Sequence, residues 1–239
     1  MLDWRPRIRP ESNVISRRTD LQLARTETLK AEYADLWTRA TRHPFIEELG
    51  SGTLPLEKFR RYLLQDYLFV TDLARMCGIA IARAPDLPSA RPVHEFLANL
   101  MGAEDALFLR AFADLDIPES TFRAVRPLPT TAAFGDFLVR LAYEGAWEEI
   151  CAAMLVTEGV YLEWGERLNS EGARPESPLY REWIEIHTAA ILGPFVAFLT
   201  KVVDGAPESQ SAGVAAAFER ALTYEVGFWD MAYLEGPVE

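Results

Sequence analysis

Two cysteines, Cys77 and Cys151, are all that the 239 residues contain, and neither lies in a Cys-x-x-Cys pair. One bridge would be a thin framework for a chain of this length, so a reducing, cytoplasmic setting is expected. Histidine is nearly as scarce: there are three, and none stands in the Glu-x-x-His pairs that a helical di-metal carboxylate oxidase requires on two helices. No metal and no cofactor is therefore expected. Basic residues are outnumbered, 24 Lys and Arg against 36 Asp and Glu, which gives a net charge of −12. Such a chain repels phosphate backbones, and no helix-turn-helix with a basic recognition helix is evident, so no nucleic-acid partner is expected. No apolar run approaches the roughly 18 residues of a membrane span, so no membrane partner is expected either. The opening segment, MLDWRPRIRPESNVISRR, has scattered arginines but lacks the apolar stretch of a secretory signal. Residues 1–25 read as an arm that is flexible or packs on a neighbouring subunit, with an organelle-targeting peptide as the alternative.

Alternating Val/Ile/Thr-rich runs are absent, and so is any repeat of 20–50 residues. What fills the chain is apolar residues spaced by three and four, the helical period. About seven helices are expected: residues 29–40, 56–84, 91–115, 130–145, 147–168, 178–203 with a kink at Gly193-Pro194, and 207–234. Pro55, Pro85, Pro118, Gly172 and Gly236 punctuate them. The connections are short, so residues 26–239 read as one all-α domain. With 49% hydrophobic residues it can bury a sizeable core.

In such a bundle the informative residue is an acid on an apolar face, because burial demands a partner. Three acids qualify. Asp66 shares a face with Phe59, Tyr62 and Val70. Glu158 lies in AAMLVTEGVYLEW with Met154 and Tyr161 on its stripe. Glu225 lies in ALTYEVGFWDMAY between Leu222 and Phe228. The plain alternative for each is a satisfied core carboxylate. Glu144, Glu148, Glu149 and Glu166 have polar neighbours and read as solvated. Gly159 and Gly227 sit beside two of the three acids, where close helix packing and room for a ligand are both open readings.

The stretch LWTRATRHPFIEELGSGTLPLEKFRRYLLQDYLFV, with its HPF, GTLP and QDY elements, resembles the opening of the TenA family, the thiaminase II group. VYLEWGERL and the closing YEVGFWDMAY resemble that family's later signatures, so the likeness covers about residues 30–235. It implies a haem-oxygenase-like helical fold, a homotetramer or homodimer, and hydrolysis of C–N bonds on aminopyrimidines in thiamin salvage. Position by position it implies that Asp66 binds the pyrimidine, that Tyr161 lines the pocket, and that Glu225 is the catalytic glutamate. The nucleophilic cysteine of the better-known branch would fall at Thr157. Cys151 lies six residues away, roughly 120° round the helix. Phe69, Phe134 and His187 fall where that branch has tyrosines. The missing thiol resembles the second branch, in which a glutamate one place later, here Glu158, pairs with Glu225.

Two carboxylates that share a desolvated pocket cannot both ionise easily, so one serves as base and the other holds a proton. Glu225 is taken as the principal acid/base and Glu158 as its partner, while which of them is acid and which base stays open, since such a pair titrates as a unit. Asp66 would accept from the amino group and a protonated ring nitrogen while Phe69, Phe134, Tyr161 and Trp229 clamp the flat ring. His187 reads either as a pocket hydrogen-bonding group or as a buried histidine without a role. Thr157 as a nucleophile lacks an obvious base. His43 reads as a helix-end residue that satisfies terminal carbonyls. Three further readings compete: a catalytically inactive pyrimidine-binding protein, a regulator (an old label in the family is transcriptional regulator), and the helical di-metal oxidase.

Overall fold

The computed structural model describes residues 24–234, so the arm expected over residues 1–25 lies almost wholly outside the described residues. Twelve α-helices succeed one another among them: α1 (Arg25–Glu32), α2 (Ala34–Thr41), α3 (Pro44–Ser51), α4 (Leu56–Arg83), α5 (Leu87–Asn99), α6 (Asp105–Asp114), α7 (Glu119–Phe122), α8 (Pro129–Glu144), α9 (Trp147–Ser170), α10 (Pro178–Ile186), α11 (Gly193–Asp204) and α12 (Ser211–Leu234). No strand occurs among the described residues. The fold is all-α, as the periodicity predicts.

The count of helices is higher than seven, for local reasons. The stretch expected over 29–40 breaks at Tyr33, whose φ of −103° and ψ of 30° leave the helical region, and becomes α1 and α2. Helix α3 was not expected. It starts because Pro44 is pre-set for a first helical turn, and it stops at Gly52, whose φ of 78° is the left-handed value a glycine supplies cheaply. His43 is a helix-end residue, but of the opposite kind to that expected. Its Nδ1 accepts from the Phe45 N–H at 3.1 Å, capping the start of α3, while Nε2 lies 3.2 Å from Asp230 Oδ1. The rod expected over 91–115 is continuous from α5 to α6, yet it contains a π-helical turn at Leu100–Glu104. The kink expected at Gly193-Pro194 is a full break: α10 ends at Ile186 and α11 begins at Gly193.

Helix α9 forms the axis. Every residue from Ile150 to Val160 is buried, the pattern of a helix surrounded on all sides. Helices α11 and α12 pack along it, α4 packs on α8 and α12, and α10 packs on α9 and α3. Aromatic rings bind α4 to α12 and α3: Tyr62 lies 5.4 Å from Trp229 and 5.0 Å from Phe45, centroid to centroid. Such pairs add about 0.5–1.5 kcal/mol each beyond their buried area. Added Cβ atoms at Gly159 and Gly227 would meet Trp37 and Thr130 at 3.5 Å, ordinary van der Waals contact, so both glycines face neighbouring side chains and neither position requires the missing Cβ. No described helix is long and apolar enough to cross a membrane.

Candidate active site

Helices α4 and α9 face one another across a cavity of about 200 Å³. From α4 come Asp66, Phe69, Val70 and Leu73, one stripe at offsets of three, four and seven. From α9 come Thr157, Glu158 and Tyr161, and the break after α10 contributes His187. A dry cavity of about 150 Å³ is enough to hold a benzene ring, so this one suits a single substituted six-membered ring.

Six of the nine residues singled out in the sequence line this cavity: Asp66, Phe69, Thr157, Glu158, Tyr161 and His187. The other three stand one layer back. Phe134 packs against Phe69 at 4.7 Å and stacks on Tyr224 at 5.2 Å, so it buttresses the wall and does not form it. Trp229, expected in the same clamp, instead lies between Tyr62 and Tyr161 behind the wall. Glu225 is 2% exposed and off the wall, and its Oε1 has no hydrogen-bond partner among the described residues. It is still close enough to matter electrically: burial raises its carboxyl well above the usual range, and the charges of Glu158 and Asp66 raise it further.

The wall carboxyls are displaced in the same direction. Burial lifts Asp66 to about 7, with the Tyr62 hydroxyl working against the rise. Burial also lifts Glu158 to about 8, opposed by the Thr157 hydroxyl and reinforced by Asp66. Near neutrality, then, protonated and ionised carboxyls coexist round the same small space, the condition for dividing acid and base work.

Neighbouring groups fix these carboxyls in place. The hydroxyl of Thr157 lies 3.0 Å from the Met154 carbonyl and 3.1 Å from Glu158 Oε1, and its one proton serves one of them at a time. The acceptor that sequence reading did not find for Thr157 is therefore Glu158. Tyr161 meets Tyr62 hydroxyl to hydroxyl at 2.9 Å. His187 donates Nδ1–H to the Trp183 carbonyl at 2.6 Å, which leaves Nε2 as an acceptor. Burial pushes His187 down to about 4, so the ring is neutral at physiological pH. It sits there because α10 stops one residue earlier and because Gly165 of α9 lacks a Cβ, which would collide with the His187 main-chain oxygen.

Gln65, beside Asp66, takes no part in the cavity. Its Oε1 accepts from the Leu128 N–H and the Thr131 hydroxyl, both at 2.8 Å, and it pins the start of α8 to α4. Both thiols are buried, and burial pushes each up, Cys77 further raised by Glu158 and Cys151 by Glu148. Neither is a thiolate near neutrality.

Sequence reading missed Glu104, which lines the cavity from the π-helical turn. A signal was there: Glu104 falls four residues after Leu100 and three before Leu107, on an apolar stripe like those of the other acids. The polar run Gly102-Ala103-Glu104-Asp105 hid it. Arg110 and Glu182, also missed, form an ion pair of 2.5 Å at the same cavity.

The family model described as TENA/THI-4/PQQC matches residues 30–235. An aminopyrimidine aminohydrolase of Bacillus subtilis strain 168 is 30% identical over 213 residues, spanning 87% of this chain and 89% of that protein. A TenA homologue from P. horikoshii OT3 superposes with a TM-score of 0.82 at 27% identity, covering 90% of this chain and 100% of the other. A domain of Shewanella denitrificans OS217 described as having a heme oxygenase-like fold gives a TM-score of 0.69 at 16% identity, covering 87% of this chain and 91% of that one. It speaks for the architecture alone.

Proposed function

The chain belongs to the TENA/THI-4/PQQC family, and on that premise we propose that it is a hydrolase of aminopyrimidines, releasing ammonia by cleavage of an exocyclic C–N bond in thiamin salvage. The observation that carries the reading is the convergence of Asp66 and Glu158, from facing helices, on a cavity sized for one ring.

The reaction takes in one water. Its oxygen bonds to the exocyclic carbon as the C–N bond breaks, and the electron pair leaves with nitrogen. Water gives up a proton, and the nitrogen, carrying its extra proton as the bond breaks, leaves as ammonia. Asp66 accepts hydrogen bonds from the ring's amino group and protonated ring nitrogen, the stronger, charge-assisted kind. Glu158 is the member of the glutamate pair at the cavity face, and Glu225 holds the second carboxyl behind it. Together they supply base and acid, help of about 10²–10⁴-fold in rate. Phe69 and Tyr161 clamp the ring. The glutamate-pair branch, lacking the family's cysteine, is favoured by Thr157 at the thiol's place and by the protonated state of both thiols. A homotetramer or homodimer in solution goes with the proposal, and sedimentation of the purified protein reads it.

The test is ammonia release from a 4-amino-5-aminomethylpyrimidine by the parent protein and by Glu158→Gln, Glu225→Gln and Asp66→Asn. Turnover in the parent with large losses in the variants supports the reading. Binding without turnover in the parent would make the protein a silent pyrimidine binder, and no binding at all would remove the pyrimidine.

A further inference from the structure

Most polar groups on the cavity wall are acceptors. Glu158 receives one bond from the Thr157 hydroxyl and Asp66 has the Tyr62 hydroxyl beside it, so both keep acceptor capacity free, while the Asn99 amide adds a neutral donor. Asp66 enters from α4, Glu158 from α9 and Glu104 from the π-helical turn between α5 and α6. His187, 7% exposed, lines the same space and keeps Nε2 as an acceptor, its Nδ1–H being taken by the Trp183 carbonyl. The one cation on the wall, Arg110, is engaged by Glu182. Among the described residues no three Asp, Glu, His or Cys side chains are grouped as metal ligands, so these acceptors are spread round a volume and not gathered at a point. A ligand that satisfies them carries N–H donors on several sides and positive charge.

Glu104 is the acceptor with no assigned part. It makes no hydrogen bond or ion pair among the described residues. A π turn inserts one extra residue into the helical rod and re-aims the side chains beyond it; such turns are frequent at functional sites. This one carries Glu104 at its last position, facing Asp66 and Glu158 closely enough that burial, and then their charges, raise its carboxyl well above the usual range.

We propose that Glu104 is a specificity-determining residue that holds the protonated exocyclic amine of the substrate, resting on the reading of the cavity as an aminopyrimidine site. Asp66 reads the ring, Glu104 reads the charge on the substituent, and Glu158 moves the proton. Once the amine has become a hydroxyl, the contact to Glu104 loses its charge and the alcohol product is held less tightly.

Glu104→Gln tests this through a ratio. The KM for the 5-aminomethyl compound and the Ki for its 5-hydroxymethyl product are measured in the parent, in Glu104→Gln and in Glu104→Asp. The expected result is a KM raised roughly tenfold or more in Glu104→Gln, with kcat and the Ki for the alcohol nearly unchanged and Glu104→Asp close to the parent. KM and Ki rising together would make Glu104 a shaper of the cavity, and no change in either would leave it a bystander. A fall in kcat alone would move it into the chemical step. Each of these three overturns the proposal. Should the parent turn over no aminopyrimidine, the hydrolase reading fails separately. The same amine-to-alcohol ratio is then taken from calorimetric Kd values, and failure of Glu104→Gln to lower it overturns the assignment.

Discussion

The hydroxyls of Tyr62 and Tyr161 lie 2.9 Å apart, one from α4 and one from α9, and they join the helix that carries Asp66 to the helix that carries Glu158. Tyr62 also restrains the rise of the Asp66 carboxyl. Tyr62→Phe therefore lets Asp66 rise above about 7 and leaves the Tyr161 hydroxyl without its buried partner, at a cost of about 1–3 kcal/mol. If Asp66 binds as a carboxylate, the acidic limb of kcat/KM moves to higher pH. A pH–rate profile of the variant reads the shift, and an unmoved limb contradicts it.

Stability of the ligand-free protein depends on pH in a direction set by the raised carboxyls. Between their ordinary values of 3.8 and 4.5 and the folded values of about 7 and 8, Asp66 and Glu158 keep protons that the unfolded chain has released. The contribution of this pair is thus lost as pH rises through that window. Glu158→Gln removes one of the two groups, so its Tm should fall less than the parent's between about pH 5.5 and pH 8.5. Equal slopes in the two proteins would contradict the buried-carboxyl assignment.

The thiols offer a cheap exclusion. Both are buried and protonated, so iodoacetamide applied to the folded protein near neutral pH should leave ammonia release intact. Stoichiometric inactivation would return a cysteine to the mechanism.

Gly165 provides a positional test. A Cβ there meets the main-chain oxygen of His187, which belongs to the backbone and cannot swing aside. Gly165→Ala is expected to destabilise by about 1–3 kcal/mol, as overpacking does, and to displace His187 from the cavity. Urea denaturation measures the first effect; a steady-state assay measures the second as a loss of kcat/KM. A stable, fully active variant would show that this approach does not position His187.

The acids at 66, 158 and 225 could be found in the sequence because each interrupts an apolar stripe on a long helix, where the 3.6-residue period is unambiguous. Glu104 was hidden because its neighbours Gly102, Ala103 and Asp105 supply no large apolar side chain, although Leu100 and Leu107 stand at its helical offsets. Layering was hidden as well. Phe134 and Phe69 look alike as helical aromatics, and only the packing of α8 on α4 decides which one touches the cavity. The break at Tyr33 and the single turn of α7 leave no mark in hydrophobic spacing. His187 enters the cavity through a helix end that Gly193-Pro194 announced about six residues too late.

A crystal structure with the 5-hydroxymethyl aminopyrimidine bound interrogates the proposed site directly. The ring should lie between Phe69 and Tyr161, its amino group within hydrogen-bonding distance of Asp66 and its hydroxymethyl group against Glu158. A ring bound elsewhere, or one in this cavity with neither carboxylate in contact, would contradict the assignment of Asp66 and Glu158.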